Sequence, residues 1–135
     1  MRTPTEPCRY RRTVESYYCA PPLAAVLPGA GSWNDSWVAT GADLYNIDDI
    51  VIGSDVCISQ YVYLCTGSHD RRSSTFEYDN GPIVIENGVW LCARSTVLRG
   101  VTVGANSVVG ATSLVSGDIP PNSVVRPPPP IVTPS

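Results

Sequence analysis

The chain contains a single histidine, His69, and the chemistry that this residue offers is proton transfer. Imidazole titrates near neutral pH, so it can take a proton from a hydroxyl group and then return it. Asp70 follows directly, in the run Thr66-Gly-Ser-His-Asp70. A lone surface histidine is more often a solvated polar group than a catalytic one, so its role depends on the elements that position it.

Metal and redox chemistry have little support in the sequence. The five cysteines are widely spaced, and they form no Cys-x-x-Cys pair of the kind found in zinc sites and redox centres. We therefore predict free thiols and no metal. The cysteines are Cys8, Cys19, Cys57, Cys65 and Cys92.

Composition excludes two further classes of partner. The net charge of −3 gives no electrostatic footprint for nucleic acid. No apolar run approaches the ~20 residues of a transmembrane helix, and residues 1–28 lack the apolar core of a signal peptide. We expect neither nucleic acid nor membrane as a partner, and a cytoplasmic location.

An aliphatic residue recurs at every sixth position through most of the chain, from Val38 to Val115. A period of six differs from the helical period of about 3.6 and the strand period of about 2. It is typical of a chain that forms a short strand, turns a corner and repeats. With three strands in each coil, the aliphatic residues form three interior columns. The columns are Ile52, Ile85 and Val103; Val38, Ile58, Leu91 and Val109; and Leu44, Leu64, Val97 and Val115.

The repeats predict an all-β fold, a left-handed parallel β-helix or hexapeptide-repeat solenoid, over residues 32–126. Residues 1–31 show no repeat and are expected to be irregular, and residues 127–135 read as a proline-rich tail. An inserted loop at about 70–84 interrupts the register. Phe76 and Tyr78 in this loop are too apolar for a solvated segment, so we expect them to pack on a neighbouring surface such as another subunit.

The segment 58–70 closely resembles the one that carries the catalytic histidine in colanic-acid-type (WcaF-like) acetyltransferases of the hexapeptide-repeat superfamily. These enzymes are related to the maltose and galactoside O-acetyltransferases. The resemblance covers about residues 38–125. It implies an acetyl-CoA-dependent O-acetyltransferase that acts on a saccharide or glycoside hydroxyl, with His69 as general base and direct transfer. Further similar segments are 51–60, 82–86, 88–91 and 109–113.

The same resemblance implies roles for other residues. Asn46 falls where relatives contact the sugar acceptor, although a turn asparagine explains this residue equally well. Trp90, Ala93 and Ala111 fall where relatives line the pantetheine channel of the cofactor, and Ser116 falls near the cofactor. Active sites of the superfamily lie between neighbouring prisms, so the resemblance also implies a homotrimer.

Two alternatives use the same fold. A γ-carbonic-anhydrase site needs three histidines on zinc, and one histidine excludes it. A degenerate or truncated hexapeptide-repeat protein without catalysis, in a binding or structural role, stays open. Tyr61 stands where the family has glycine, and Gly117 where it commonly has lysine. The complete Thr66–Asp70 run favours the enzyme, because a purely structural solenoid needs only aliphatic residues and turns.

Overall fold

The computed structural model describes residues 36–134, which form a stack of short strands. The segment 1–31, predicted to be irregular, lies outside the described residues. Residues 127–134 form no strand and are exposed. Among residues 36–134 no helix is long and apolar enough to cross a membrane. The strands are β1 (Trp37–Val38), β2 (Asp43–Tyr45), β3 (Ile50–Ile52), β4 (Cys57–Ile58), β5 (Tyr63–Cys65), β6 (Ile83–Ile85), β7 (Trp90–Leu91), β8 (Thr96–Leu98), β9 (Thr102–Val103), β10 (Val108–Val109), β11 (Leu114–Val115) and β12 (Val124–Val125).

The strands form three parallel sheets, and successive strands belong to different sheets. The first sheet has the order β1-β4-β7-β10-β12, the second β2-β5-β8-β11 and the third β3-β6-β9. In the second sheet, Leu64 pairs with Leu44 on one side and with Val97 on the other. The three predicted columns are therefore the three ladders of a triangular prism, and the left-handed parallel β-helix is confirmed.

The interior of the prism is filled by one aliphatic side chain from each strand. Ile58, Leu64 and Leu91 have no exposed surface, and Val56 and Val62 fill the space beside the corners. Complete burial of such a side chain contributes about 1.5–3 kcal/mol. Because this narrow interior is closed by its own side chains, ligand chemistry has to take place on the outer edges and faces.

The corners of the prism need backbone in the left-handed region. Along the edge between the first and second sheets, Gly41, Tyr61, Arg94 and Thr112 have φ values of 73°, 58°, 60° and 62°. A positive φ is unfavourable for a side chain such as that of Tyr61, and glycine adopts it more readily. The Tyr61 ring covers Gly41, where a Cβ would lie 2.5 Å from the ring, and the Arg94 guanidinium lies 5.1 Å from the ring centroid.

Two buried serines at the corners differ in their hydrogen bonding. Ser107 donates to the carbonyl of Pro120 at 3.0 Å and accepts from the N–H of Ser123 at 3.1 Å. The Ser95 hydroxyl is equally buried but has no partner among residues 36–134. Burial of a hydroxyl without a hydrogen-bond partner destabilises the fold. Removal of a hydroxyl that has partners also destabilises it, because the partner groups are then left without a hydrogen bond.

We therefore expect Ser95→Ala to raise the free energy of unfolding by about 1 kcal/mol, and Ser107→Ala to lower it by about 1–2 kcal/mol. Urea denaturation of the two variants and the parent measures both values. Equal destabilisation by the two substitutions would mean that the Ser95 hydroxyl has a partner, such as a buried water.

The largest interruption of the repeat is the loop between β5 and β6. The sequence predicts this loop at about 70–84. In the structure β6 begins at Ile83, whose side chain is fully buried. Ile83 lies two positions before Ile85 on the same side of the strand, so both point into the prism. The loop therefore closes two residues earlier than the hexapeptide register alone indicated.

Candidate active site

Two edges of the prism carry the residues that the sequence singled out. The histidine edge, where the chain passes from the second sheet to the third, carries Asn46, His69 and Ser116. The alanine edge, where it passes from the first sheet to the second, carries Ala93 and Ala111. The backbone carbonyl of Ala93 accepts a hydrogen bond from Thr112, so the two alanines lie on neighbouring coils.

Trp90 lies on the first sheet, in β7. In a triangular prism this face is opposite the histidine edge. The residue is 49% exposed, and its Nε1 donates a hydrogen bond to the Ser59 hydroxyl at 3.0 Å. One chain therefore brings Asn46, His69 and Ser116 to one edge but leaves Trp90 on another side of the prism.

His69 begins a hairpin inside the long loop. It forms an antiparallel bridge with Tyr78. The N–H of Asp70 donates to the carbonyl of Glu77, and the N–H of Asp79 donates to that of Ser68, both at 2.9 Å. The hairpin fixes the backbone of His69, and it puts the side chains of His69 and Tyr78 on the same side.

The imidazole of His69 is oriented by a backbone carbonyl. Its Nδ1 lies 2.8 Å from the carbonyl oxygen of Phe76. A carbonyl oxygen can only accept a hydrogen bond, so Nδ1 carries the proton and, in the neutral ring, Nε2 has the free lone pair. The rings of Phe76 and Tyr78 stack against the imidazole at centroid distances of 4.0 and 4.8 Å. The two aromatic residues, expected to pack on a neighbouring surface, thus contact His69 itself.

An ion pair holds this hairpin against the prism, and the sequence alone does not indicate it. The carboxylate of Asp79 pairs with the guanidinium of Arg99, on the next coil. Gly81 lies so close to the turn at Gly100 that a Cβ would come within 3.0 Å of the Gly100 nitrogen. Because the ion pair joins residues 20 positions apart in different coils, no local pattern indicates it.

An open depression of about 510 Å³ lies beside the hairpin, and its lining is dominated by charged groups. A second one, of about 270 Å³, includes Ser68 and Ser116, and Arg99 borders both. Charged walls open to solvent suit a ligand rich in hydroxyl groups. The first depression is lined by His69, Asp70, Arg71, Arg72, Glu77, Tyr78, Asp79 and Arg99.

The cysteines of the described chain, Cys57, Cys65 and Cys92, are free thiols as predicted. Cys8 and Cys19 lie outside the described residues. Burial raises the pKa of the Cys92 thiol, and the nearby Cys57 raises it further. Both effects disfavour a reactive thiolate. No group of three metal-binding side chains occurs among residues 36–134.

Comparison with known proteins agrees with this fold. The family of bacterial transferase hexapeptides (six repeats) matches residues 82–117. WcaF of Escherichia coli, named as a colanic acid biosynthesis acetyltransferase, is 44% identical over 97 residues, which are 72% of this chain and 53% of the relative. The chain belongs to the hexapeptide-repeat acetyltransferases. A galactoside O-acetyltransferase of Lactococcus lactis is 36% identical over 116 residues, covering 82% of this chain and 56% of that protein.

A solved structure shares both the fold and part of the sequence of this chain. It is a hexapeptide-repeat acetyltransferase of Vibrio cholerae in complex with acetyl-CoA, with a TM-score of 0.63 and 35% identity. The match covers 67% of this chain and 52% of the Vibrio chain. The present chain thus spans about half the length of the relatives WcaF and galactoside O-acetyltransferase.

Proposed function

We propose that this chain catalyses acetyl-CoA-dependent O-acetylation of a saccharide or glycoside hydroxyl. The observation that carries the proposal is the hydrogen bond from Nδ1 of His69 to the carbonyl of Phe76, because it leaves Nε2 available as a general base. The names of the relatives support acetyl transfer to sugars, and the Vibrio relative binds acetyl-CoA. WcaF is named for colanic acid biosynthesis, so we further propose a role in exopolysaccharide assembly.

The reaction is a direct transfer. The acceptor hydroxyl oxygen attacks the thioester carbonyl carbon of acetyl-CoA while its proton passes to Nε2 of His69. A carbon–oxygen bond forms and the carbon–sulfur bond breaks. The departing CoA thiolate then takes the proton from the imidazolium, which returns His69 to its starting state. The protein contributes the base and the alignment of the two substrates. Because acetyl-CoA is a cytoplasmic metabolite, we propose the cytoplasm as the location.

The two substrates are assigned to different groups of residues. Asn46 contacts the acceptor on the histidine edge. Trp90, Ala93, Ala111 and Ser116 contact acetyl-CoA. Trp90 lies on the face opposite His69, so a donor that reaches both needs a second copy of the chain. A threefold assembly supplies three equivalent sites of this kind, and we propose a homotrimer.

The proposal is tested by thiol release from acetyl-CoA with a panel of sugars and glycosides, together with sedimentation to determine the oligomeric state. Acceptor-dependent release by a trimer is the expected result. A stable trimer that releases no thiol with any acceptor of the panel would instead support the non-catalytic alternative, in which the β-helix only binds partners.

One position tests the assignment of the donor site. Gly117, next to Ser116, stands where the family commonly has lysine, and a Cβ there has open space. We expect Gly117→Lys to lower the KM for acetyl-CoA by about two- to fivefold at low salt, because a cation is added near an anionic donor. The uncharged Gly117→Gln is the control. An equal effect of both variants, or an effect that persists at high salt, would contradict an ionic contact.

A further inference from the structure

Phe76 and Tyr78 are the most conspicuous exposed apolar groups near His69. Phe76 is 63% exposed and Tyr78 is 71% exposed. Large aromatic side chains usually bury most of their area, and exposed apolar groups beside a polar depression mark binding surfaces. One side of each ring contacts the imidazole, so the other side is available to a ligand. We call these two rings the aromatic platform.

The platform is held in place by the hairpin and not by its own burial. Phe76 has a φ of 55°, an unfavourable conformation for a bulky side chain. Its N–H donates to the carbonyl of Ser73 at 3.3 Å, which closes a turn. This same turn brings both the carbonyl and the ring of Phe76 to His69. The hydrogen bonds of the hairpin maintain this conformation.

Polar groups lie beside the Tyr78 ring of the platform. Asp70, Arg71 and Glu77 line the same depression as Tyr78. A pyranose ring carries hydroxyl groups around its rim and C–H groups on its faces. The C–H groups have a small positive charge, which is attracted to the negative face of an aromatic ring, while the hydroxyl groups bind charged side chains.

We propose that the aromatic platform stacks its free outer side against a pyranose ring of a saccharide acceptor, in the sugar unit next to the one whose hydroxyl reaches Nε2 of His69. The inference rests on the proposed O-acetyltransferase function. It assigns the platform to specificity, because a sugar unit stacked on the platform fixes the position of the neighbouring unit at the base, and so fixes which hydroxyl meets Nε2. Stacking also excludes open-chain polyols as good acceptors, since they have no continuous C–H face.

The first arm of the test compares Tyr78→Leu with Tyr78→Phe in the assembled protein. Tyr78→Leu keeps the apolar bulk but loses the aromatic face, and we expect the KM for a disaccharide acceptor made of pyranose units to rise about tenfold. The KM for acetyl-CoA serves as the internal reference and should stay within about twofold. Tyr78→Phe retains the ring and should restore most of the acceptor affinity. An unchanged acceptor KM in Tyr78→Leu would overturn the proposal.

The second arm measures sugar binding without acetyl transfer. Saturation-transfer NMR with a methyl pyranoside should show contact from aromatic protons to the protons of one sugar face, and the signal should fall in Tyr78→Leu. If this contact is seen but no acceptor is acetylated, the platform binds sugar as proposed, and the proposed acetyltransferase function is wrong. If sedimentation shows that Tyr78→Leu dissociates the assembly, the platform is a contact between copies and the proposal is wrong.

Discussion

Replacement of His69 by alanine is expected to lower kcat for acetyl transfer by about 10²–10⁴-fold, the usual contribution of a general base. The imidazole accepts the hydroxyl proton only as the reaction proceeds. The loss should therefore appear equally in kcat and in kcat/KM for the acceptor. The measurement is the initial rate of thiol release from acetyl-CoA at saturating donor.

Alanine also removes the ring against which Phe76 and Tyr78 stack, so a second variant has to separate these effects. His69→Phe retains an aromatic ring in the stack but cannot accept a proton. We expect it to be as inactive as His69→Ala. Added imidazole should partly restore the activity of His69→Ala, which leaves space for it, and should not restore that of His69→Phe. Normal turnover by either variant would exclude His69 as the base.

The sequence was sufficient for the β-helix because its signal is the period of the chain itself. The spacing of Leu44, Leu64, Val97 and Val115 requires one inward position in each strand, and these four residues form one ladder of the second sheet. The backbone conformations at the corners were harder to predict from the sequence. Tyr61 has a positive φ, which glycine adopts most readily, and a tyrosine in the sequence gives no local sign of this conformation.

The candidate site could be predicted only in part. The run around His69 was recognisable, whereas its partners depend on the fold of a loop that has no periodicity. The bridge between His69 and Tyr78 sets which carbonyl meets Nδ1, and that register is a property of the hairpin. The ion pair of Asp79 with Arg99 arises from stacking of coils, which only the complete β-helix defines. The roles assigned to Asn46, Trp90, Ala93, Ala111 and Ser116 stay predictions.

The second large effect is expected in the core. Leu64→Ala should lower the free energy of unfolding by about 3–5 kcal/mol. Leu64 lies in β5 with no exposed surface, between Leu44 and Val97 of the neighbouring coils. The backbone ladders on both sides hold the coils at the strand spacing of ~4.8 Å, so the cavity cannot collapse by moving one coil. The cost therefore lies in the upper part of the usual range for leucine truncation.

Leu114→Ala is the matched control for this substitution. Leu114 lies in β11 of the same sheet but points away from the prism and is 64% exposed. We expect a change within about 0.5 kcal/mol in urea denaturation followed by far-UV circular dichroism. If Leu114 is buried between copies, Leu114→Ala will instead shift the sedimentation of the assembly at concentrations where the chain stays folded. Equal loss of folding stability in both variants would contradict the inward and outward assignment of the second sheet. Because that assignment also sets the histidine edge, such a result would undermine the position given to His69.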